Sequence, residues 1–152
     1  MRLLGLDIGD RTIGVAVSDV SNIIASGVAT IERVGIRKDT TAVVNYVREY
    51  GVTTVVCGLP RRLDGTDSPQ TGKVRTFVQK LANKLRSSGA ELAAVEIVFE
   101  DEALTTVEAA DVLIKANMSP KDRRKIIDRQ AAIVILQSYI EDHYKELHPE
   151  SQ

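Results

Sequence analysis

Sulfur and aromatic rings are scarce in this chain: Phe and Tyr make up 4% of its residues, tryptophan is absent, and Cys57 is the single cysteine. One cysteine cannot close an internal disulfide, so the fold must rest on its core. Cys57 lies in the apolar run Val55-Val56-Cys57 and reads as a small core residue, not a nucleophile. No apolar run approaches the length of a membrane span, and Met1-Arg2 leads straight into a strand-like stretch without an export-signal pattern. These absences point to a cytoplasmic protein with no membrane partner. Charge of one sign is lacking too, since the formal net charge of -1 gives no global pull toward nucleic acid. The turn-rich stretch from Gly58 to Ser68 has no Gly-Lys-Ser/Thr ending, which argues against a phosphate-cradling P-loop there.

What is present is aliphatic. A chain of 152 residues, 43% of them hydrophobic, is large enough for one domain with a core of Val, Ile, Leu and Ala, as in α/β proteins. Its most informative stretch is the first. Leu3 to Ile8 and Ile13 to Val17 are two apolar runs of strand length joined by a short polar link containing Gly9, the pattern of a hairpin. Asp7 interrupts the first run between Leu6 and Ile8, where a carboxylate must be paired, hydrogen-bonded or bound to a metal. It reads either as a turn aspartate capping the backbone of Gly9 and Asp10 or as a metal ligand at a strand end.

The rest of the chain alternates in period. A third strand is expected over roughly the second half of Ile23 to Val34, completing an antiparallel meander. Val43, Val44 and Val47 give a helix from about Lys38 to Tyr50, with Asp39 able to cap it and Gly51 ending it. Val52 to Cys57 reads as a buried strand, followed by a loop in the position where binding residues commonly sit. Ser68 and Pro69 start the next helix, whose Val74, Phe77, Val78, Leu81 and Leu85 share one face and which Gly89 closes. A strand from Leu92 ends in Glu100, Asp101 and Glu102, and alternation sends Asp101 to one side and the two glutamates to the other. Thr105 to Glu108 is a capping-box pattern for a helix to about Ala116, and Ser119-Pro120 starts another segment.

The last helix, Ile126 to Ile140, is apolar on nearly every side and so is expected to be largely buried. Asp128 shares a face with Ala131, Ala132 and Ile135, and the two alanines allow close approach to a sheet. A salt bridge to Arg124 or a favourable place in the first turn of a helix would account for it equally. His143 and His148 fall in a polar tail, 143–152, and read as solvated.

This element order implies a mixed five-stranded sheet, three antiparallel strands plus two parallel ones, flanked by helices, in which the first strand can sit centrally beside the fourth. Asp7 and the acids of the fifth strand then lie one strand apart, and a helix packed on the sheet can bring Asp128 to the same rim. Three carboxylates without His or Cys suit Mg²⁺ or Mn²⁺. Two such ions about 4 Å apart support phosphodiester hydrolysis.

Several segments resemble one family. Asp7-Ile8-Gly9 with Ile13-Gly14-Val15-Ala16, Val56-Cys57-Gly58-Leu59-Pro60 with Asp64-Gly65-Thr66, Asp101-Glu102-Ala103-Leu104-Thr105-Thr106-Val107-Glu108-Ala109, and Lys125-Ile126-Ile127-Asp128 with Ala131-Ala132 are similar, in order, to the YqgF/RuvX family. The resemblance implies an RNase H-like fold over 1–142, the bacterial cytosol, and a nuclease of Holliday junctions or of the 5′ end of pre-16S ribosomal RNA. It implies metal ligands at Asp7, at Glu102 with Asp101 beside it, and at Asp128, with Asp7, Glu102 and Asp128 catalytic. Arg61, Arg62, Lys121, Arg124 and Lys125 are the basic residues expected to position phosphates of pre-rRNA or branched DNA without reading bases. An enzyme acting on a two-fold junction is expected to form a homodimer. One departure stands out, since the family usually has Arg after the Asp-Glu pair and this chain has Ala103. Two other readings compete: an actin-like or sugar-kinase phosphate loop, which needs two such domains, and a nucleic-acid-binding factor that has lost turnover.

Overall fold

Glycines, prolines and changes of hydrophobic period set the boundaries of the elements. The computed structural model describes residues 1–102 and 120–151, with side chains for 1–102 and 129–150. β1 (Arg2–Ile8), β2 (Thr12–Ser18) and β3 (Ala25–Glu32) form the meander, with Leu6 opposite Val15 and Asp7 opposite Gly14. α1 (Ile36–Tyr50) crosses to β4 (Val52–Leu59), which pairs parallel with β1. α2 (Pro69–Arg86) and the short α3 (Ala90–Ala93) lead to β5 (Glu96–Asp101), parallel to β4. The sheet runs β3-β2-β1-β4-β5, the mixed five-stranded arrangement expected from the element order. α4 (Pro120–Asp142), α5 (Tyr144–Leu147) and a 3₁₀ turn (Pro149–Ser151) follow.

Strand alternation gives the sheet two different faces. Leu4, Leu6 and Ile8 of β1 and Val55, Cys57 and Leu59 of β4 turn to α1 and α2, where they pack with Val43, Val47, Val74, Phe77 and Leu81. Leu3, Ala16 and Val56 turn the other way and pack with Ala132, Ile135, Leu136 and Ile140 of α4. Burying Ile135 and Leu136 contributes about 1.5–3 kcal/mol each. α4 lies in a shallow trough of missing side chains. A Cβ on Gly5 would stand 2.7 Å from Leu136 Cβ and 3.0 Å from the Ala132 carbonyl oxygen, and one on Gly27 would stand 2.5 Å from two side-chain carbons of Arg129. The two small alanines on α4 thus match a sheet that is also small at the crossing, as their spacing implied.

Several boundaries differ from the sequence expectation. α1 begins at Ile36, two residues early, because Gly35 (φ 146) makes the turn into it. Asp39 does not cap that helix from outside; it lies within the first turn, where its carboxylate accepts from the Val34 N–H and the Arg33 Nε, each at 3.0 Å. Gly51 ends the helix in the left-handed conformation (φ 61), as expected. Ser68 and Thr71 form a reciprocal capping box at the start of α2, with Pro69 in its first turn. That helix stops at Arg86, and Gly89 (φ 108) starts α3 instead of closing α2. Leu92 therefore belongs to α3, where it is buried, and β5 begins only at Glu96.

Pro120 and Ile126 lie on one continuous helix, so the two expected terminal segments are one. The helix expected over 105–116 falls outside the described residues. His148 is not solvated: it is buried, with its Nε2 2.6 Å from the Ser21 carbonyl oxygen and its Nδ1 3.0 Å from that of Tyr144. His143 stacks on Tyr139 with ring centroids 4.1 Å apart. The physical reason is α5, which folds the end of the chain back against the β2–β3 turn.

Candidate active site

β1, β4 and β5 run parallel, so their carboxyl ends share one rim of the sheet, the position where α/β folds commonly bind ligands. Asp7 is the penultimate residue of β1. Because Leu6 and Ile8 turn to α1 and α2, alternation places Asp7 on the α4 face. Cys57 is the partner of Leu6 on β4, and Gly58 therefore stands beside Asp7. Cys57 itself is fully buried and its thiol is pushed up to about 12 by that burial, which leaves it inert as a nucleophile.

β5 delivers the second carboxylate. Glu102 follows the last strand residue and its N–H donates to the Leu59 carbonyl at 3.2 Å, which continues the ladder by one bond. Its side chain occupies the space over Gly58. A Cβ at that glycine would lie 2.6 Å from Glu102 Oε1 and 2.5 Å from Ile135 Cδ1, so the carboxylate has room only because residue 58 has no side chain. Glu102 and Asp7 share a hydrogen bond, and the Glu102 carboxyl is pushed up to about 9, first by burial, then by the hydrogen bond and charge of Asp7, and then by Asp101. Two carboxyl groups in hydrogen-bond contact hold one proton between them, or else a cation.

The three acids at the end of β5 part as alternation requires. Asp101 is exposed, while Glu100 faces α4 and accepts from the Ser138 hydroxyl at 2.8 Å. Burial raises the Glu100 carboxyl most, and Asp142 raises it further against the lowering by Ser138. Glu102 is thus the one of the three that meets Asp7. Among the described residues no group of three or more His, Cys, Asp or Glu is placed to hold a metal. The side chains of Lys121, Arg124, Lys125 and Asp128 lie outside the described residues. The backbone of all four belongs to α4, and position 128 is one helical turn before Ala132, whose carbonyl meets Gly5 two residues from Asp7.

Arg61 and Arg62 occupy the β4–α2 loop that leaves from this rim. Arg61 bridges to Asp67, with its Nε 3.6 Å from the carboxylate, and Arg62 is exposed. One contributor is invisible in sequence. Arg33 follows β3 directly, donates from Nη1 to the Gly9 carbonyl at 2.9 Å, pairs with the buried Asp39 and lies 5.1 Å over the Phe77 ring. It braces the turn after Asp7 from the α1 side. A single arginine after a strand carries no pattern that announces such a role; only the buried Asp39 six residues on hints at a partner.

The model of the RuvX family, described as Holliday junction resolvase, matches residues 1–142. The chain belongs to the RuvX family. A RuvX relative from Caldanaerobacter subterraneus subsp. tengcongensis, named "Putative pre-16S rRNA nuclease", is 46% identical over 142 residues, which cover 93% of this chain and 96% of the relative. A second of the same name, from Clostridium tetani, is 43% identical over 144 residues, or 95% and 99% of the two chains. Among solved structures, Thermus thermophilus RuvC bound to a Holliday junction substrate superposes with a TM-score of 0.56 at 11% identity, over 93% of this chain and 95% of that one. The fowlpox virus Holliday junction resolvase gives 0.53 at 14% identity over 93% and 99%. At such low identities the likeness is one of fold, and the fold is RNase H-like.

Proposed function

We propose that this RuvX protein is a divalent-metal-dependent endonuclease that hydrolyses phosphodiester bonds in structured nucleic acid, with the 5′ end of pre-16S rRNA as substrate. The observation that carries this reading is the meeting of Asp7 and Glu102, two acids ninety-five positions apart in the chain, above a glycine that leaves them room. Their oxygen-only donor set fits Mg²⁺ or Mn²⁺. Asp7, Glu102 and Asp128 are the proposed ligands and catalytic residues, with Asp101 at the margin of the site. A bound ion would polarise the scissile phosphate and lower the pKa of an attacking water. Asp7 and Glu102 would hold such an ion, and Glu102 would give up its shared proton on binding it. Arg61, Arg62, Lys121, Arg124 and Lys125 are assigned to the phosphates on either side of the cut.

Family membership also supports a second substrate, the four-way DNA junction, because the RuvX model is described by that activity. A junction-cutting form would act as a homodimer. Among the described residues no helix is long and apolar enough to cross a membrane, and we assign the protein to the cytoplasm with residues 1–142 as its nuclease domain. Incubating the protein with Mn²⁺ or Mg²⁺ and either labelled pre-16S RNA or a labelled four-way junction separates the two substrates. Asp7→Asn is expected to lower cleavage by at least about 100-fold, and undiminished cleavage by that variant would remove the assignment.

A further inference from the structure

Leu63 is 89% exposed, more so than the terminal Met1 at 85%. Isolated apolar residues on a surface are ordinary and need no explanation. This one differs in how it is held. The loop around it is a miniature hairpin, in which the Arg62 N–H donates to the Thr66 carbonyl at 2.9 Å and the Gly65 N–H to the Arg62 carbonyl at 2.8 Å. Asp64 Oδ1 accepts from both the backbone N–H and the hydroxyl of Thr66, at 2.9 and 2.6 Å. Gly65 takes φ +85, a conformation that side chains rarely adopt, and Arg61 and Asp67 pair across the base of the hairpin. These bonds close the loop on either side of Leu63, which belongs to neither core cluster.

Position supplies the second observation. The loop leaves β4 at Leu59, whose carbonyl holds the N–H of Glu102, so the Leu63 backbone lies within about 14 Å of the last β4 residue. Arg61 and Arg62 immediately precede it. Val20, Ile23 and Ile24 lie at the opposite rim of the sheet, and Val34, 72% exposed at the end of β3 on the carboxylate rim, has no pair of arginines directly before it. A lone leucine beside two arginines offers little area to a protein partner, whose interfaces are built around clustered apolar anchors. It matches a nucleic acid strand, which presents phosphates to the arginines and flat apolar base faces between them. Leucine is among the side chains that proteins insert between base steps.

We propose that Leu63 is a wedge that enters the base stack next to the cut, making it a specificity-determining residue that favours steps where stacking is already weak, such as the boundary between a single strand and a helix. Leucine forms no hydrogen bonds, so the selection is for deformability and not for base identity. The proposal rests on the nuclease reading above, but its test does not require cleavage. In the Asp7→Asn protein, binding to a stem from the pre-16S 5′ end carrying 2-aminopurine at the single-strand boundary is expected to raise fluorescence as the base unstacks. Adding Leu63→Ala should abolish that rise while leaving salt-dependent binding in place, and Leu63→Met should restore it.

With Asp7 intact, Leu63→Ala should slow cleavage of the paired substrate by about tenfold, and a mismatch at the boundary should recover the loss. If the double variant unstacks the probe as well as Asp7→Asn alone, or if neither unstacks it, the wedge is wrong, whatever the protein cleaves. A Leu63-dependent rise, with the unsubstituted protein cleaving neither substrate under Mn²⁺ or Mg²⁺, would instead overturn the nuclease reading and leave the wedge standing.

Discussion

At the scale of single residues, the site is a contest between two carboxyl groups over one proton. Burial and the neighbouring Asp7 raise Glu102 from 4.5 to about 9, so the folded protein favours the neutral acid more than the unfolded chain does. The stability lost by ionising it is therefore absent below about pH 4.5 and grows as pH rises toward 9. Without divalent cation, thermal unfolding temperature should fall across that window, and Glu102→Gln, which cannot ionise, should flatten the fall. Binding of Mn²⁺ should strengthen over the same range with uptake of the ion releasing a proton, measurable by calorimetry in buffers of different ionisation enthalpy. Asp7 was legible from sequence because an acid between Leu6 and Ile8 has no place in an apolar strand. The choice among Glu100, Asp101 and Glu102 was not, because it depends on where β5 ends, and one residue of slip exchanges the faces.

At the scale of elements, the turn between β1 and β2 is clamped from outside the meander. The Arg33 guanidinium joins the Gly9 carbonyl to Asp39, which is 1% exposed, so removing it leaves a buried carboxylate without its cation. Arg33→Ala should cost about 3 kcal/mol in chemical denaturation, and Arg33→Ala with Asp39→Ala should cost less than the single change because no charge is stranded. The same variants should weaken cation binding through Asp7, whose strand runs into that turn. Periodicity revealed the helices, and Gly51, Ser68 and Pro69 marked their ends with the chemistry those residues supply. α3 was hidden because four residues are too few to show a period, and Leu92 was absorbed into the neighbouring strand for that reason. The union of the two terminal helical segments was hidden too, since Ser119-Pro120 and Ile126 each offer a plausible start and nothing local chooses between them.

For the whole molecule, the sequence carried the sheet order further than the site. Short links impose an antiparallel meander and crossover helices impose parallel strands, so the mixed sheet follows from connection lengths, while the packing of β4 against β1 and not β3 is set by the fold. The assembly of the rim needs tertiary packing, which no pattern along the chain encodes. Saturating Mn²⁺, at about 100 times its dissociation constant, should stabilise the native protein by about 2.7 kcal/mol and Asp7→Asn by much less. Equal stabilisation of both proteins would show that the ion binds elsewhere.

The trough under α4 has a reach of its own. Gly27 sits on β3, two strands from β1, yet its bareness seats the same rigid rod that passes over Gly5 and Gly58 and carries position 128. A valine there would press on the Arg129 and Ile133 side chains, beside position 128 on the same helix. Such a variant is expected to disturb the seating of α4 with every proposed acidic ligand intact, so an inactive mutant of this chain need not have lost a carboxylate.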